Sequence, residues 1–178
     1  MSSPFKTLSS KTSGSCPYYS IRSDEIQLQN GQTGVYHVID IPHSVFIVPV
    51  LPDGRIVLIR NYRYTLNEWV WEAPAGGIKN GQTPLEAAQM ELKEETGGTT
   101  DDWQFLCKAS SMNGFLNHAS HFYLATNVIL SETSHEDTEA IEVAPMPAAD
   151  VYRMIHEGKV NDALSMTVLL LAQPHLKL

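Results

Sequence analysis

The sequence predicts a mixed α/β layered domain, and three observations carry that expectation. Short runs rich in β-branched and apolar residues, bounded by turn residues, recur through most of the chain. One helix with unusually complete end signals interrupts them near the middle, and two further helical stretches follow late. No internal repeat and no linker divides the 178 residues. A chain of this length buries roughly two thirds of its unfolded surface as one domain.

Residues 1–17, rich in Ser and Thr with little to bury, are expected to be a flexible lead-in, and 18–178 one domain. Tyr18–Leu28 and Gly34–Ile41 read as two strands joined at Gln29-Asn30-Gly31. Val45–Leu51 and Arg55–Arg60 flank Pro52-Asp53-Gly54, in which Pro presets φ, Asp caps locally and Gly accepts a positive φ. Trp69–Glu72 is a short strand running into Pro74-Ala75-Gly76-Gly77. A helix then opens with Thr83 as N-cap, Pro84 at the first helical position and Glu86 three residues after the cap. Leu85, Ala88 and Leu92 mark its buried stripe, and Gly97-Gly98 ends it. Further strands are expected at Phe105–Ala109, His121–Val128 and Ile141–Met146. Helices are expected at Ala148–His156, with Val151, Met154 and Ile155 inward, and at Ala163–Ala172.

Composition narrows the function classes. A formal charge of −8 opposes general nucleic-acid binding, which needs a basic face. It leaves room for a phosphate-bearing small ligand, because a metal ion and a few arginines reverse the field locally. Cys16 and Cys107 stand far apart in no metal-binding spacing, the pattern of reduced thiols in a cytoplasmic protein. The N-terminus has no apolar core of signal-peptide length, and no stretch approaches a membrane span.

Within Glu91-Leu92-Lys93-Glu94-Glu95, three carboxylates stand at i, i+3 and i+4, on one side of a helix. Like charges at that spacing repel by a few tenths of a kcal/mol per pair. The last helical turn disfavours each Glu by about another 0.3–1 kcal/mol through the helix dipole. Either the cluster is a solvated acidic face, or a hard divalent cation with oxygen ligands reverses both effects. The preceding Ala75-Gly76-Gly77 favours the cation, since glycine lets bare backbone approach a ligand closely.

The segment AGGIKNGQTPLEAAQMELKEETGG, Ala75–Gly98, resembles the Nudix box, a Gly-x5-Glu-x7-Arg-Glu-U-x-Glu-Glu-x-Gly-U pattern in which U is bulky and apolar. Gly76, Glu91, Leu92, Glu94-Glu95 and Gly97 take their places in it. Outside the box, RNYRY (Arg60–Tyr64) and EWVWEAPAGG (Glu68–Gly77) are similar to the ADP-ribose pyrophosphatase branch. The resemblance spans roughly residues 18–172. It implies an α/β/α sandwich with a mixed sheet, plus N-terminal antiparallel strands used in dimerisation over 18–41. Three positions depart from the pattern: Gln82 stands for Glu, Met90 for Arg and Gly98 for the final apolar residue. Losing Glu and Arg together leaves no lone charge, but weakens the shell that orients the catalytic glutamates.

The resemblance also implies roles. Glu91 and Glu95 would be metal ligands, Glu94 would share the site directly or through water, and the Ala75 carbonyl would complete it around Mg²⁺, with Mn²⁺ as a substitute. The base would come from the acidic loop HEDTEAIEV, with Glu139 first and Asp137 second, unless that loop is merely solvated. Arg63 would reach a substrate phosphate, or form an ion pair with Glu68 or Glu72. Arg60 is offered as a second substrate contact or a solvent-facing strand end, and Glu72 as a pocket brace or a structural ion pair. Tyr18, Tyr19 and Tyr36 would stack adenine, unless they pack a core. Asn113 and Gly114 resemble a loop that contacts the terminal ribose, with His118 where many members carry Glu. His118 and His121, three apart at a strand entry, make poor geometry for one ion, so no zinc site is expected.

The expected function is Mg²⁺-dependent hydrolysis of a nucleoside diphosphate sugar, ADP-ribose first, by a cytoplasmic homodimer. The alternatives are a slow or inactive module that binds such a ligand, and an enzyme acting on damaged nucleoside triphosphates.

Overall fold

The computed structural model describes residues 3–133 and 140–176. In chain order its elements are β1 (Lys6–Ser15), β2 (Ser20–Gln27), β3 (Thr33–Asp40), β4 (Ser44–Pro49), β5 (Ile56–Arg63), β6 (Glu68–Glu72), β7 (Ala75–Gly77), α1 (Pro84–Thr96), β8 (Gly98–Thr99), β9 (Asp102–Ala109), β10 (Leu116–Asn117), β11 (Ser120–Thr126), β12 (Ile129–Leu130), β13 (Ile141–Met146), α2 (Ala148–His156) and α3 (Ala163–Ala172). Contacts separate the chain into two compact units, Met1–His43 with Ser110–Ala119 and Ser44–Ala109 with Ser120–Leu178. Each unit is assembled from stretches distant in sequence, so no linker marks the boundary.

In the first unit the strand order is β1-β2-β3-β10, antiparallel except that β10 runs parallel to β3. The turn between β2 and β3 closes with Leu28 N–H on the Gln32 carbonyl, and Gly31 takes the positive φ of 84° that a β-carbon would resist. The expected lead-in needs correction. Lys6–Ser15 forms β1 and pairs with β2 along its length, while every one of its residues stays exposed. Main-chain bonds and polar pairs such as Ser9–Glu25 and Ser10–Asp24 hold it. A strand exposed on both faces carries no apolar alternation to reveal it in the sequence.

The second unit is a sandwich, and side-chain alternation shows how it is layered. Three sheets contribute its strands, β7-β4-β11-β9, β13-β5-β6 and the two-stranded β12-β8. The pair β4–β11 is parallel and the other pairings within these sheets are antiparallel. Val48, Ile56, Leu58, Phe122 and Leu124 bury one face against Val151 and Met154 of α2 and Val168 and Leu169 of α3. The alternate residues Val45, Ile47, Val57, Tyr123 and Ala125 bury the other face against Ala87, Ala88 and Leu92 of α1. Helices therefore cover both faces of the β layer, whose β7-β4-β11-β9 sheet is mixed. Among the described residues no helix is long and apolar enough to cross a membrane.

The ends of α1 form as their residues dictate. The Thr83 hydroxyl accepts from Glu86 N–H, and the Glu86 carboxylate accepts from Thr83 N–H, so the capping box is complete. Donation from Thr83 N–H, and from its hydroxyl to the same carboxylate, holds the Glu86 carboxyl below its usual range. Gly97 closes the helix at φ 67°. Leu85 corrects the expected stripe: it is exposed, and Ala87 takes its place in the core beside Ala88 and Leu92. Periodicity gives the direction of a stripe but not how far along the helix the covering sheet extends.

Gly97 and Gly54 separate two costs of adding a methyl group. Both have positive φ, but a β-carbon at Gly54 meets open space while one at Gly97 overlaps the Ser131 carbonyl. Gly54→Ala should lose about 1–2 kcal/mol of stability from conformation alone. Gly97→Ala should lose about 1–3 kcal/mol beyond that, since the obstacle is main chain. Urea unfolding midpoints compare them, and equal losses would contradict the overlap.

Candidate active site

The site residues of the second unit converge on five consecutive positions, Glu72–Gly76, each pinned by a different partner. Glu72, 6% exposed, receives Arg63 through Nε at 2.8 Å and Nη2 at 2.6 Å. Ala73 N–H donates to the Ser165 hydroxyl at 3.0 Å. The Pro74 carbonyl accepts Ile47 N–H at 2.9 Å. Ala75 N–H donates to Glu95 Oε2 at 2.8 Å. Gly76 lies directly beneath the Glu91 carboxyl, which occupies the space where a β-carbon would stand.

That arrangement explains the glycine chemically. A side chain at 76 would push the Glu91 carboxylate out of its present position, whereas Gly77 next door has open space. Glu95 is 3% exposed, and a buried carboxylate needs hydrogen bonds or a cation. One oxygen finds the Ala75 amide, so α1 and β7 are joined through two residues to which the motif resemblance gives metal-binding roles. Glu94, one residue earlier, is half-buried.

Among the described residues, no three His, Cys, Asp or Glu side chains converge closely enough to hold an ion by themselves. The donor set nevertheless fits a magnesium-like cation, which takes one or two protein carboxylates and fills its remaining positions with carbonyl, water and substrate oxygens. Glu95 accepts the Ala75 N–H and the Glu91 carboxyl covers Gly76, so both carboxylates lie against the backbone segment that carries the Ala75 carbonyl.

Arg63 forms the ion pair with Glu72 rather than with Glu68. Hydrogen bonding to Glu72, assisted by the charges of Glu72, Glu95 and Asp162 and opposed by partial burial, holds its guanidinium protonated beyond the ordinary arginine range. Arg63 is thus both Glu72's counter-ion and within the field of Glu95. Arg60 points the other way. It faces Trp71 across the β5–β6 ladder, with its guanidinium 5.5 Å from the Trp69 ring and 5.7 Å from that of Trp71, and Glu142 at 3.6 Å. Strand alternation puts Arg60 and Arg63 on opposite faces of β5, so the structure does not bring Arg60 to the glutamates.

The two polar departures from the box motif meet each other. Gln82 Nε2 donates to Met90 Sδ at 3.6 Å, while Gln82 Oε1 accepts Lys79 N–H at 2.9 Å. A neutral amide–thioether contact therefore stands where the pattern has an acid and a base, and it ties the 78–82 loop to α1 immediately before Glu91.

In the first unit, Tyr36 O–H donates to the Gly114 carbonyl at 2.6 Å, bringing Tyr36 together with the Asn113-Gly114 loop. Tyr18 and Tyr19 stand between β1 and β2; Tyr18 is 79% exposed, which excludes core packing for it. The His43 ring lies 6.3 Å from that of His118, and burial first, then His43, holds the His118 imidazolium below its usual range. Glu139 and Asp137 lie outside the described residues.

Sequence reasoning missed Ser165 and Asp162. Ser165 is fully buried in an apolar helix, and Asp162 caps that helix by accepting Ser165 N–H at 2.7 Å. A hydroxyl inside ALSMTVLLLA was the available signal, since a buried Ser needs a partner.

Two expected outcomes follow from this geometry. Gly76→Ala should displace Glu91 and reduce metal affinity by about 10-fold or more, while Gly77→Ala stays close to the parent. Titration with Mn²⁺ reads both, and equal behaviour would show that the Glu91 contact is immaterial. Gln82→Glu combined with Met90→Arg should raise turnover more than the two single changes predict together, because each charge alone lacks its partner. Strictly additive rates in a full double-mutant cycle would sink that coupling.

The NUDIX domain family matches residues 41–166. The chain is 28% identical over 166 residues to the ADP-ribose pyrophosphatase of Mycobacterium tuberculosis, covering 91% of this chain and 80% of that one. It is 26% identical over 145 residues to the methanol dehydrogenase activator of Bacillus methanolicus, covering 80% and 78%. A crystal structure of an ADP compounds hydrolase superposes with a TM-score of 0.85 at 24% identity, covering 97% of this chain and 94% of that chain, which bears on the fold. The chain therefore belongs to the Nudix family and is a hydrolase of that family, with ADP-ribose pyrophosphatases among the proteins it is similar to.

Proposed function

We propose that this protein hydrolyses the pyrophosphate bond of a nucleoside diphosphate sugar, ADP-ribose first, giving AMP and ribose 5-phosphate with Mg²⁺ bound, and that it acts as a cytoplasmic homodimer. The observation that carries the site reading is the junction of Glu91 and Glu95 with the Ala75–Gly76 backbone. When bound, the divalent ion supplies neutralisation of the pyrophosphate charge and a lowered pKa for a coordinated water. Glu91 and Glu95 with the Ala75 carbonyl hold it, and Glu94 joins directly or through water; Mn²⁺ is the natural substitute.

The chain's own groups do the rest. Glu72 occupies the Nε edge and one Nη2 hydrogen of Arg63, so the guanidinium is oriented before substrate arrives, and its other N–H donors suit phosphate oxygens. Orientation in advance reduces the ordering cost of the bound state. Glu139, with Asp137 as second choice, is the proposed base that takes the proton from water. In the first unit, Tyr36 with Asn113 and Gly114 are the proposed sugar and base contacts, with Tyr18 and Tyr19 as further stacking surfaces. Arg60, held by two tryptophans, is set aside from this role.

The neutral Gln82–Met90 contact favours one second reading, a module that binds such ligands and turns them over slowly. Incubation with ADP-ribose and Mg²⁺ separates the two. Release of AMP at a useful rate, lost on Glu95→Gln, is the expected result. Tight binding without product would establish the slow module, and release of inorganic pyrophosphate from oxidised nucleoside triphosphates would redirect the substrate class.

A further inference from the structure

We infer that Ser165 is a positioning residue for the metal-binding backbone, acting through Ala73; this rests on the reading of Ala75, Glu91 and Glu95 as the metal site. Ser165 comes from α3, outside the box motif and on the opposite side of the sheet from α1. Its hydroxyl accepts the amide of Ala73, itself 1% exposed, so no water competes for that donor. Two residues later the chain meets Glu95, and one residue after that it passes beneath Glu91. With Arg63 on Glu72 and Ile47 on Pro74, the segment is held at every residue.

The consequence is positional. Ala75 N–H fixes one oxygen of Glu95, and the Ala75 carbonyl belongs to the same short strand. A shift of a few tenths of an ångström at Ala73 is carried by the rigid Pro74 to both groups. Asp162 sets the origin of this brace, since it caps α3 through Ser165 N–H and adds a charge that Arg63 feels. One acid thereby fixes the helix that holds the Ala73 amide and takes part in the field of the arginine on Glu72. The site is thus braced from both helical layers.

The test compares Ser165→Ala with Val168→Ala, a neighbouring fully buried change on α3 that removes packing from the same core cluster but leaves the Ser165 hydroxyl on Ala73 N–H. Mn²⁺ binding by electron paramagnetic resonance and amide exchange of residues 72–77 are measured on folded protein. Ser165→Ala should weaken Mn²⁺ binding by about 10-fold, as loss of an outer-shell partner does, and speed exchange of that segment. Val168→Ala should leave both near the parent even where it lowers the melting temperature more. If Ser165→Ala does not fold, Ser165→Cys, with its weaker acceptor, should give smaller shifts of the same kind. Unchanged affinity and exchange in the serine variant, or equal shifts in both variants, would overturn the inference. A parent that binds no Mn²⁺ would instead defeat the metal reading, and the exchange comparison would still decide whether Ser165 positions the segment.

Discussion

Two carboxylates of α1 lie against the backbone of one short strand, and most of the second unit can be understood as the means of keeping them there. Glu95 takes the amide of Ala75 and Glu91 covers Gly76. Both contacts place negative charge at a partly closed position near the negative end of a helix, which opposes them electrostatically. They persist because the surrounding structure leaves few alternatives. The helix is capped at both ends, its small residues Ala87 and Ala88 press against the sheet, and the facing segment is tied at successive residues to β4, α1, α3 and Arg63. A site that is unfavourable by itself is thereby ready to be stabilised by a cation.

Arg63 has a place in the same balance. Without it, Glu72 would be a nearly buried carboxylate lacking its counter-charge, a penalty moderated by the half-exposed position of Arg63. With it, the substrate-side arginine is oriented by a group that never leaves the protein. Arg60, three residues earlier, carries the same charge but is turned by strand alternation to a different environment, between two indole rings. Two arginines in one motif thus serve different ends.

The first unit is organised differently. Its sheet is long and largely exposed, and polar pairs such as Arg22 with Asp24 and Asp40 do much of its ordering. Tyr36 and the Asn113-Gly114 loop are far apart in sequence, yet one hydrogen bond joins them. The chemistry of Gln82 and Met90 makes a related point: two departures from a motif can be compatible because they touch, and a sequence comparison by position does not record touching.

Much of the fold was legible in the residues themselves. The Thr83-Pro84-Glu86 start, the Gly97 stop, the Pro52-Asp53-Gly54 turn and the two late helices depend on local backbone chemistry, so the sequence alone determines them. The three glutamates at helical spacing and the glycine loop before them also follow from local order. Other features needed the tertiary structure. Strand β1 lacked an apolar pattern, the exposure of Leu85 depended on where the sheet ends, and the choice of Glu72 over Glu68 for Arg63, two carboxylates on the same face of β6, depended on which end of that strand is buried. Ser165 reaches Ala73 from 92 residues away. Local preferences act within a few residues along the chain, whereas the partners of a buried donor are decided by which surfaces pack together.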